Sequence, residues 1–140
     1  MEYFNKITKG GLPNKTLNIA LAGTGVGKSL FMCHFASSVL LQGRNVLYIT
    51  MEMAEEKIAE RIDANLLNIP IQDLTDLPKV MFDKKVNSIS KKTQGQLIIK
   101  EYPTASAHSG HFKTLLNELA LKKSFPVSYT HLTLPTIYSV

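Results

Sequence analysis

The sequence predicts an α/β fold in which a mostly parallel sheet is flanked by helices. Short apolar segments of strand type alternate with longer segments of helical periodicity, and a glycine-rich loop separates the first strand from the first helix. The strand segments are too continuously apolar for a sheet with one solvated face. A chain of 140 residues, 44% apolar and 19% charged, is sufficient for one domain with its own core.

The first half of the chain predicts a right-handed βαβ unit. Residues 16–22 and 45–51 are apolar almost throughout, which suits strands that are covered on both faces. Between them, residues 30–41 are apolar around most of the helix circumference and predict a largely buried helix with its C-cap at Gly43. Strand, helix and strand in this order form the parallel βαβ motif.

Four further elements complete the predicted fold. Residues recurring every four positions predict an amphipathic helix that ends before Pro70: Ala54, Ile58, Ile62 and Leu66. A second helix is predicted from near Asp76 towards Gly95, and its lysines are interpreted as a solvated face rather than a nucleic-acid contact. Residues 96–102 predict a third strand, and the spacing of four apolar residues predicts a last helix: Phe112, Leu115, Leu116 and Leu119.

The glycine-rich loop, residues 22–29, predicts a phosphate-binding site. Its glycines allow backbone N–H groups to converge on one anion, which the N-terminus of the following helix also favours. Lys28 can reach the β- and γ-phosphates of a nucleotide, and the Ser29 hydroxyl can bind Mg²⁺. The strict motif begins with Gly, where this chain has Ala22. The predicted ligands of ATP, or of another nucleoside triphosphate, are Gly23, Thr24, Gly25, Val26, Gly27, Lys28 and Ser29.

Glu52 is the second candidate catalytic residue beside Lys28. It directly follows the second predicted strand, and ligands in such sheets bind at the carboxyl ends of the strands. A carboxylate there can position water for in-line attack on the γ-phosphate. The alternative is a carboxylate that only stabilises the start of the next helix through the helix dipole.

Composition adds few constraints. A net charge of +5 is compatible with binding nucleotide or nucleic acid without being specific for either. A single cysteine, Cys33, excludes an internal disulfide and is interpreted as a buried structural thiol, and His108 with His111 is not expected to form a metal site. The sequence has neither an apolar run of membrane-spanning length nor a signal-peptide pattern. We therefore expect a cytoplasmic protein without membrane contact.

Several segments, taken with the phosphate loop, resemble the replicative DNA helicases of T-even-type bacteriophages. These are hexameric relatives of the bacterial DnaB helicases with a RecA-like motor domain. The resemblance covers about residues 3–125 and tolerates Ala22 in the loop; it is carried by residues 7–12, 15–18, 45–53, 61–65, 102–104 and 115–119.

The resemblance implies a partial RecA-like P-loop NTPase core. It also implies an ATP-dependent DNA helicase that moves along single-stranded DNA and unwinds duplex DNA as a homo-hexamer, with a primase and a helicase loader as partners. Within the site, it implies that the loop up to Ser29 holds the triphosphate and Mg²⁺ and that Glu52 orients or activates the attacking water. For a phage-encoded protein, the location implied is the host cytoplasm.

The resemblance ends near residue 125. The family continues there into an apolar strand ending in an Asp that helps to bind Mg²⁺, whereas residues 126–140 contain no Asp, Glu, Lys or Arg. Residues 127–136 resemble a translated sequencing adapter, although residues 127–134 also have the propensity of a strand. We expect residues 1–125 to be a truncated RecA-like ATPase domain and residues 126–140 a non-native tail. The 140-residue chain alone is then expected to bind nucleotide weakly without unwinding DNA.

Two other functions remain open from the sequence. One is a RecA-type recombinase or loader ATPase, which binds DNA without processive unwinding. The other is a short nucleotide-binding module that hydrolyses nothing, for which substitution of Glu52 by Ala leaves function unchanged. The helicase interpretation instead predicts that this substitution abolishes turnover and preserves nucleotide binding.

Overall fold

A three-stranded parallel sheet organises the fold. The computed structural model describes residues 2–13, 15–91, 93–103, 106–121 and 129–133. Within these ranges the strands are β1 (Val46–Thr50), β2 (Leu97–Glu101) and β3 (Tyr129–Thr133). The helices there are α1 (Glu2–Ile7), α2 (Lys28–Leu41), α3 (Glu55–Leu67), α4 (Ile71–Asp76), α5 (Lys79–Ser90) and α6 (Ser109–Leu121).

The central strand is β1, which pairs in parallel with β2 on one edge and β3 on the other. Thr50, its last residue, lies opposite Glu101 of β2 and Thr133 of β3. All five residues of β1 are buried, as the continuous apolar run predicts for a parallel strand covered on both faces.

Helices cover both faces of β1, and successive side chains of the strand point to opposite faces. Val46 and Tyr48 pack with α2 and α3, where the buried partners are Cys33, Ala36, Val39, Leu40, Ile58 and Ile62. Leu47 and Ile49 face the other way and pack with α6, whose contributing residues are Phe112, Leu115, Leu116 and Leu119. The result is a helix–sheet–helix arrangement, which confirms the predicted α/β class.

The predicted helix after the glycine-rich loop is present as α2, and Gly43 closes it. Gly43 has φ 76°, in the left-handed region that favours glycine, and its N–H donates to the Leu40 carbonyl oxygen at 2.9 Å. The start of the helix is less buried than the sequence predicts: Leu30 is 50% exposed. Phe31 lies next to it, and Phe4 of α1 packs on Phe31 with ring centroids 5.8 Å apart.

The remaining predicted helices are confirmed with small shifts. Asn68, in the left-handed conformation, ends α3 just before Pro70. α5 begins after Pro78 rather than at Asp76, because Asp76 belongs to the short helix α4, which the sequence analysis did not predict. None of the described helices is long and apolar enough to cross a membrane.

The prediction of a strand over residues 16–22 is wrong. Those residues lie outside any helix or strand of the structure, and Leu17, Ile19 and Leu21 are 88%, 73% and 92% exposed. A strand of this kind needs a neighbouring strand edge as well as cover on its faces. Both edges of β1 are already paired, with β2 and β3, so residues 16–22 cannot join it. The predicted βαβ unit therefore lacks its first strand.

Part of the segment that departs from the family forms β3. The five residues of β3 fall inside the range 127–134, for which the sequence showed strand propensity. Residues 126–128 and 134–140 lie outside the described residues, as do Lys92 and Thr104. Whether residues 126–140 are native to the protein stays a prediction from the sequence.

Candidate functional site

The glycine-rich loop leads directly into α2. Gly25 has φ 72° and Gly27 has φ 97°, both in the left-handed region that residues with a side chain rarely adopt. A Cβ atom added at either glycine would meet nothing within 4 Å, so the backbone conformation rather than crowding favours glycine there. Gly27 is the N-cap residue of the helix, and Lys28 and Ser29 lie in its first turn.

The start of α2 is suited to binding an anion. The first helical hydrogen bond runs from the Phe31 N–H to the Gly27 carbonyl oxygen at 2.9 Å. No side chain caps the helix, and its first turn carries no acidic residue. The backbone N–H groups at this end therefore keep their partial positive charge for a ligand. Gly27, Lys28 and Ser29 are half-buried, whereas residues 22–26 are exposed to solvent.

These features fit the triphosphate of a nucleotide. Phosphate sites of this kind combine backbone N–H donors, a helix N-terminus and a cationic side chain, and the segment from Gly25 to Ser29 contains each of these features. The exposed side of the loop leaves room for the rest of the ligand. What the structure lacks, relative to the sequence prediction, is a paired strand in front of the loop.

Glu52 lies in a short loop that is fixed at both ends. Thr50 donates its hydroxyl to the Met53 carbonyl oxygen at 2.8 Å and accepts from the Met53 N–H at 3.1 Å. Met51 is buried, and Met53 packs against the core formed by α2 and α3. Glu52 between them is exposed. The loop therefore directs the carboxylate to solvent from a backbone that is held in place.

The fold brings Lys28 and Glu52 to the same end of β1. Only residues 42–45 connect α2 to β1, so the helix must run back antiparallel to the strand. The 14 residues of α2 span about 21 Å and the five of β1 about 16 Å. The start of α2 consequently lies near the carboxyl end of β1, where Glu52 follows. In the part of the chain that the structure describes, the two side chains form no ion pair with each other.

The structure offers fewer candidate ligands for Mg²⁺ than for phosphate. The Ser29 hydroxyl is a suitable ligand, but β3 ends in Thr133 and not in a carboxylate. The described residues contain no group of three or more His, Cys, Asp or Glu side chains placed to bind a metal. Mg²⁺ commonly keeps several waters and takes further oxygens from the substrate phosphates. One protein ligand from this chain is compatible with that behaviour.

The two histidines near α6 use their ring nitrogens within the chain. The His108 Nδ1 atom accepts from the Gly110 N–H at 3.0 Å, and the His111 Nδ1 atom accepts from the His108 N–H at 3.2 Å. The rings lie 4.1 Å apart. Their hydrogen bonds organise the start of α6.

Cys33 is buried between α2 and β1, as predicted for a structural thiol. Its Sγ atom lies 3.9 Å from the hydroxyl oxygen of Tyr48. Burial raises the pKa of the Cys33 thiol, an effect partly offset by Tyr48 and by the charge of Arg61. A raised thiol pKa lowers the fraction of reactive thiolate, so Cys33 contributes to packing rather than to chemistry.

Glu101, at the end of β2, has a role that the sequence patterns did not reveal. Its carboxylate and its backbone N–H both form hydrogen bonds with Glu55 at the start of α3. The available signal was a glutamate near the carboxyl end of a predicted strand, the end of the sheet at which Glu52 follows β1. The partner, 46 residues away, could not be identified from spacing.

Comparison with known proteins gives one family and two informative relatives. Residues 1–123 match the ATPase family described as KaiC. The chain is 48% identical over 128 residues to the DnaB-like replicative helicase of Enterobacteria phage T4, a match that covers 89% of this chain and 27% of that protein. It is 30% identical over 98 residues to the DNA repair protein RadA of Campylobacter jejuni, covering 68% of this chain and 21% of that protein. The chain thus spans about a quarter of the length of these relatives.

Proposed function

Because this chain belongs to the ATPase family described as KaiC, we propose that it is the nucleotide-binding part of an ATP-dependent DNA helicase. The helicase couples hydrolysis of a nucleoside triphosphate to movement along single-stranded DNA and to duplex unwinding. The observation that carries this proposal is the 48% identity, over 89% of the chain, to a DnaB-like replicative helicase. The glycine-rich loop at the uncapped start of α2 supports it from the geometry.

The loop binds the triphosphate through its backbone. The N–H groups from Gly23 to Ser29 donate to phosphate oxygens, and the dipole of α2 favours the same negative charge. Lys28 places its ammonium group against the β- and γ-phosphates, where charge develops during transfer. Ser29 offers its hydroxyl oxygen to Mg²⁺. The bound magnesium nucleotide supplies the phosphoryl group that is transferred to water.

Glu52 orients the attacking water. An ionised carboxylate accepts a hydrogen bond from water and turns the oxygen lone pair towards the γ-phosphorus. Phosphoryl transfer depends mainly on positioning and electrostatics, so a carboxylate on a fixed loop is well suited to the task. Thr50 and Met53 provide that fixed loop through their paired hydrogen bonds.

The wider assembly is proposed from the helicase family. We propose single-stranded DNA as the track, a homo-hexamer as the working form, and a primase and a helicase loader as partners in the host cytoplasm. The chain spans about a quarter of its relatives' length, so these properties belong to a longer protein. Residues 1–125 would then be part of its ATPase domain and residues 126–140 foreign to it.

A second candidate function is a DNA-repair or recombination ATPase that does not unwind DNA processively. The observation that favours it is the 30% identity to the DNA repair protein RadA. The lower identity over a shorter segment makes it the weaker candidate. Strand separation of forked DNA distinguishes the two, because only the helicase displaces a paired strand.

Substitution of Glu52 tests the proposed chemistry. The test uses a protein of the relatives' length that contains residues 1–121 of this chain. E52Q keeps the shape of the side chain and removes the charge that orients water, so ATP turnover should fall by about 100-fold or more. Nucleotide affinity should change less than about twofold, because Glu52 lies outside the phosphate loop. Turnover is measured by phosphate release and affinity by titration with a fluorescent ATP analogue.

The matched control is E118Q, at an exposed glutamate of α6. It removes the same charge away from the loop and should leave turnover and binding unchanged. If E52Q turns over ATP as fast as E118Q, Glu52 has no catalytic role. That outcome would favour the alternative in which Glu52 only stabilises the start of α3. Absence of turnover in wild type and both variants would instead favour a nucleotide-binding module that hydrolyses nothing.

A further inference from the structure

Glu101 fastens the start of α3 to the neighbouring strand. Its carboxylate Oε2 atom accepts from the Glu55 N–H at 3.2 Å, and its own N–H donates to the Glu55 Oε1 atom at 2.8 Å. Each carboxylate therefore accepts a hydrogen bond from the backbone N–H of the other residue. Both carboxylates can make these hydrogen bonds while ionised. Ala54, the N-cap residue, has no side chain that could do this. The cap of α3 comes instead from β2.

The paired hydrogen bonds between Glu55 and Glu101 are called the clamp below. The loop that carries Glu52 lies between this clamp and the end of β1. Thr50 pairs with Glu101 in the sheet register and holds Met53 through its hydroxyl. Just after the last residue pair of β1 and β2, the Tyr102 N–H donates to the Thr50 carbonyl oxygen at 2.9 Å. Residues 51–54 are thus bounded by Thr50 on one side and by the Glu55–Glu101 pair on the other.

We propose that Glu101 is a positioning residue for Glu52, an inference that rests on the function proposed above. Glu101 fixes where α3 begins relative to β2, and through Glu55 it sets the backbone path of residues 51–54. Glu52 is exposed and has no hydrogen bond of its own in the described chain to hold its position. Its place at the carboxyl end of β1 is therefore determined by the two ends of its loop. A catalytic carboxylate needs this kind of support, since small displacements of the reacting groups cost large factors in rate.

The experiment measures amide hydrogen exchange by ¹⁵N NMR on the 140-residue chain. In E101A the Glu55 N–H loses its acceptor, and its exchange should accelerate about tenfold, the effect of one hydrogen bond to a charged group at the surface. The Met53 N–H should accelerate by a smaller but measurable factor, because Thr50 still binds it. Amides of α6, which Glu101 does not contact, should be unchanged.

Two further variants separate the clamp from general effects. E101Q keeps a carbonyl oxygen that accepts from the Glu55 N–H, so it should retain most of the protection at Glu55 and Met53. E56A removes a neighbouring first-turn carboxylate that favours the helix dipole but has no bond to β2, and it should leave both amides protected.

Four results would overturn the proposal. Protection at Glu55 could be unchanged in E101A, which would mean that the clamp does not form. Exchange could rise equally in β1, α3 and α6, which would show a loss of global stability only. Protection could be lost at Glu55 while Met53 stays the same, or E101Q could behave like E101A. In either case Glu101 would not fix the Glu52 loop through its hydrogen bond.

The same samples separate this proposal from the proposed function. ATP with Mg²⁺ is titrated into the wild-type chain and E101A, and the two should bind it alike because the hydrogen bonds of Glu101 go to Glu55. A chain that binds no nucleotide would contradict the proposed function while the exchange pattern still identified the clamp. A chain that binds ATP but shows no change at Glu55 in E101A would contradict the positioning role alone.

Discussion

Asp63 shows how partial burial of one side chain disfavours its charge. It lies on α3 beside a shallow groove against α5 that is lined by apolar side chains, among them Leu66, Leu67, Val86 and Ile89. Burial raises the pKa of the Asp63 carboxyl above its usual value of 3.8. Because the charged form is disfavoured in the folded state, the group contributes stability below pH 3.8 that is lost as the pH rises through the folded pKa.

The first prediction concerns Asp63→Asn. At pH 7 the substitution removes a poorly solvated charge, so the free energy of unfolding should increase. As the pH falls below about 3.8 the carboxyl becomes protonated in both states, and the difference between variant and wild type should decrease towards zero. Urea unfolding between pH 3 and pH 7 measures this. A variant that is less stable at pH 7 would contradict the assigned cause.

Single residues of the site differ in how far the sequence reveals them. Lys28 and Ser29 follow from a local motif, and Glu52 follows from its place after a strand. Glu101 could not be predicted, because its role depends on a contact with Glu55 that forms only when β2 pairs with β1. Candidate phosphate ligands can be predicted from a local sequence motif. The residues that hold the candidate site in place depend on contacts between strands that are distant in the sequence.

At the scale of elements, burial separates two isoleucines that the sequence treats alike. Ile62 of α3 is 0% exposed in the core beneath β1, whereas Ile19, in the segment predicted to be a strand, is 73% exposed. The apolar patterns of the sequence predict that both residues are buried. The difference in their exposed fractions identifies residues 16–22 as the segment where the sequence prediction and the structure disagree.

The second prediction compares the same substitution at both positions. Ile62→Ala should lower the free energy of unfolding by about 2–5 kcal/mol, because it removes buried methyl groups and leaves a cavity. Ile19→Ala should change it by less than about 0.5 kcal/mol, as for other surface positions. Urea unfolding monitored by circular dichroism gives both values. A loss at Ile19 as large as that at Ile62 would show that residues 16–22 are packed in a strand.

The elements that the sequence predicted correctly share a clear signal. β1 is continuously apolar, and α3 has a four-residue period closed by an αL residue before proline. α1 and α4 have six residues each, too short for a periodic pattern to show. The error at residues 16–22 has another origin: apolar character predicts a strand, but pairing decides whether it forms. The edge of β1 opposite β2 is occupied by β3.

For the whole molecule, the fold places the phosphate loop and the Glu52 loop at one end of the sheet. α2 returns antiparallel to β1, and the family match over residues 1–123 includes both loops. The fold class could be predicted from alternating elements, whereas the nucleotide site inferred from the loop stays a prediction. The order of the strands could not, because it depends on which segments compete for the edges of β1.

The central claim is that residues 22–29 bind a nucleoside triphosphate, and calorimetric titration of ATP with Mg²⁺ into the 140-residue chain tests it most directly. Wild type should bind weakly but saturably. K28A should lose at least about tenfold in affinity, since it removes a charged contact to phosphate. K91A, at an exposed lysine just after α5, removes the same charge elsewhere and should bind like wild type. Absence of saturable binding, or equal affinity of K28A and K91A, would contradict the account.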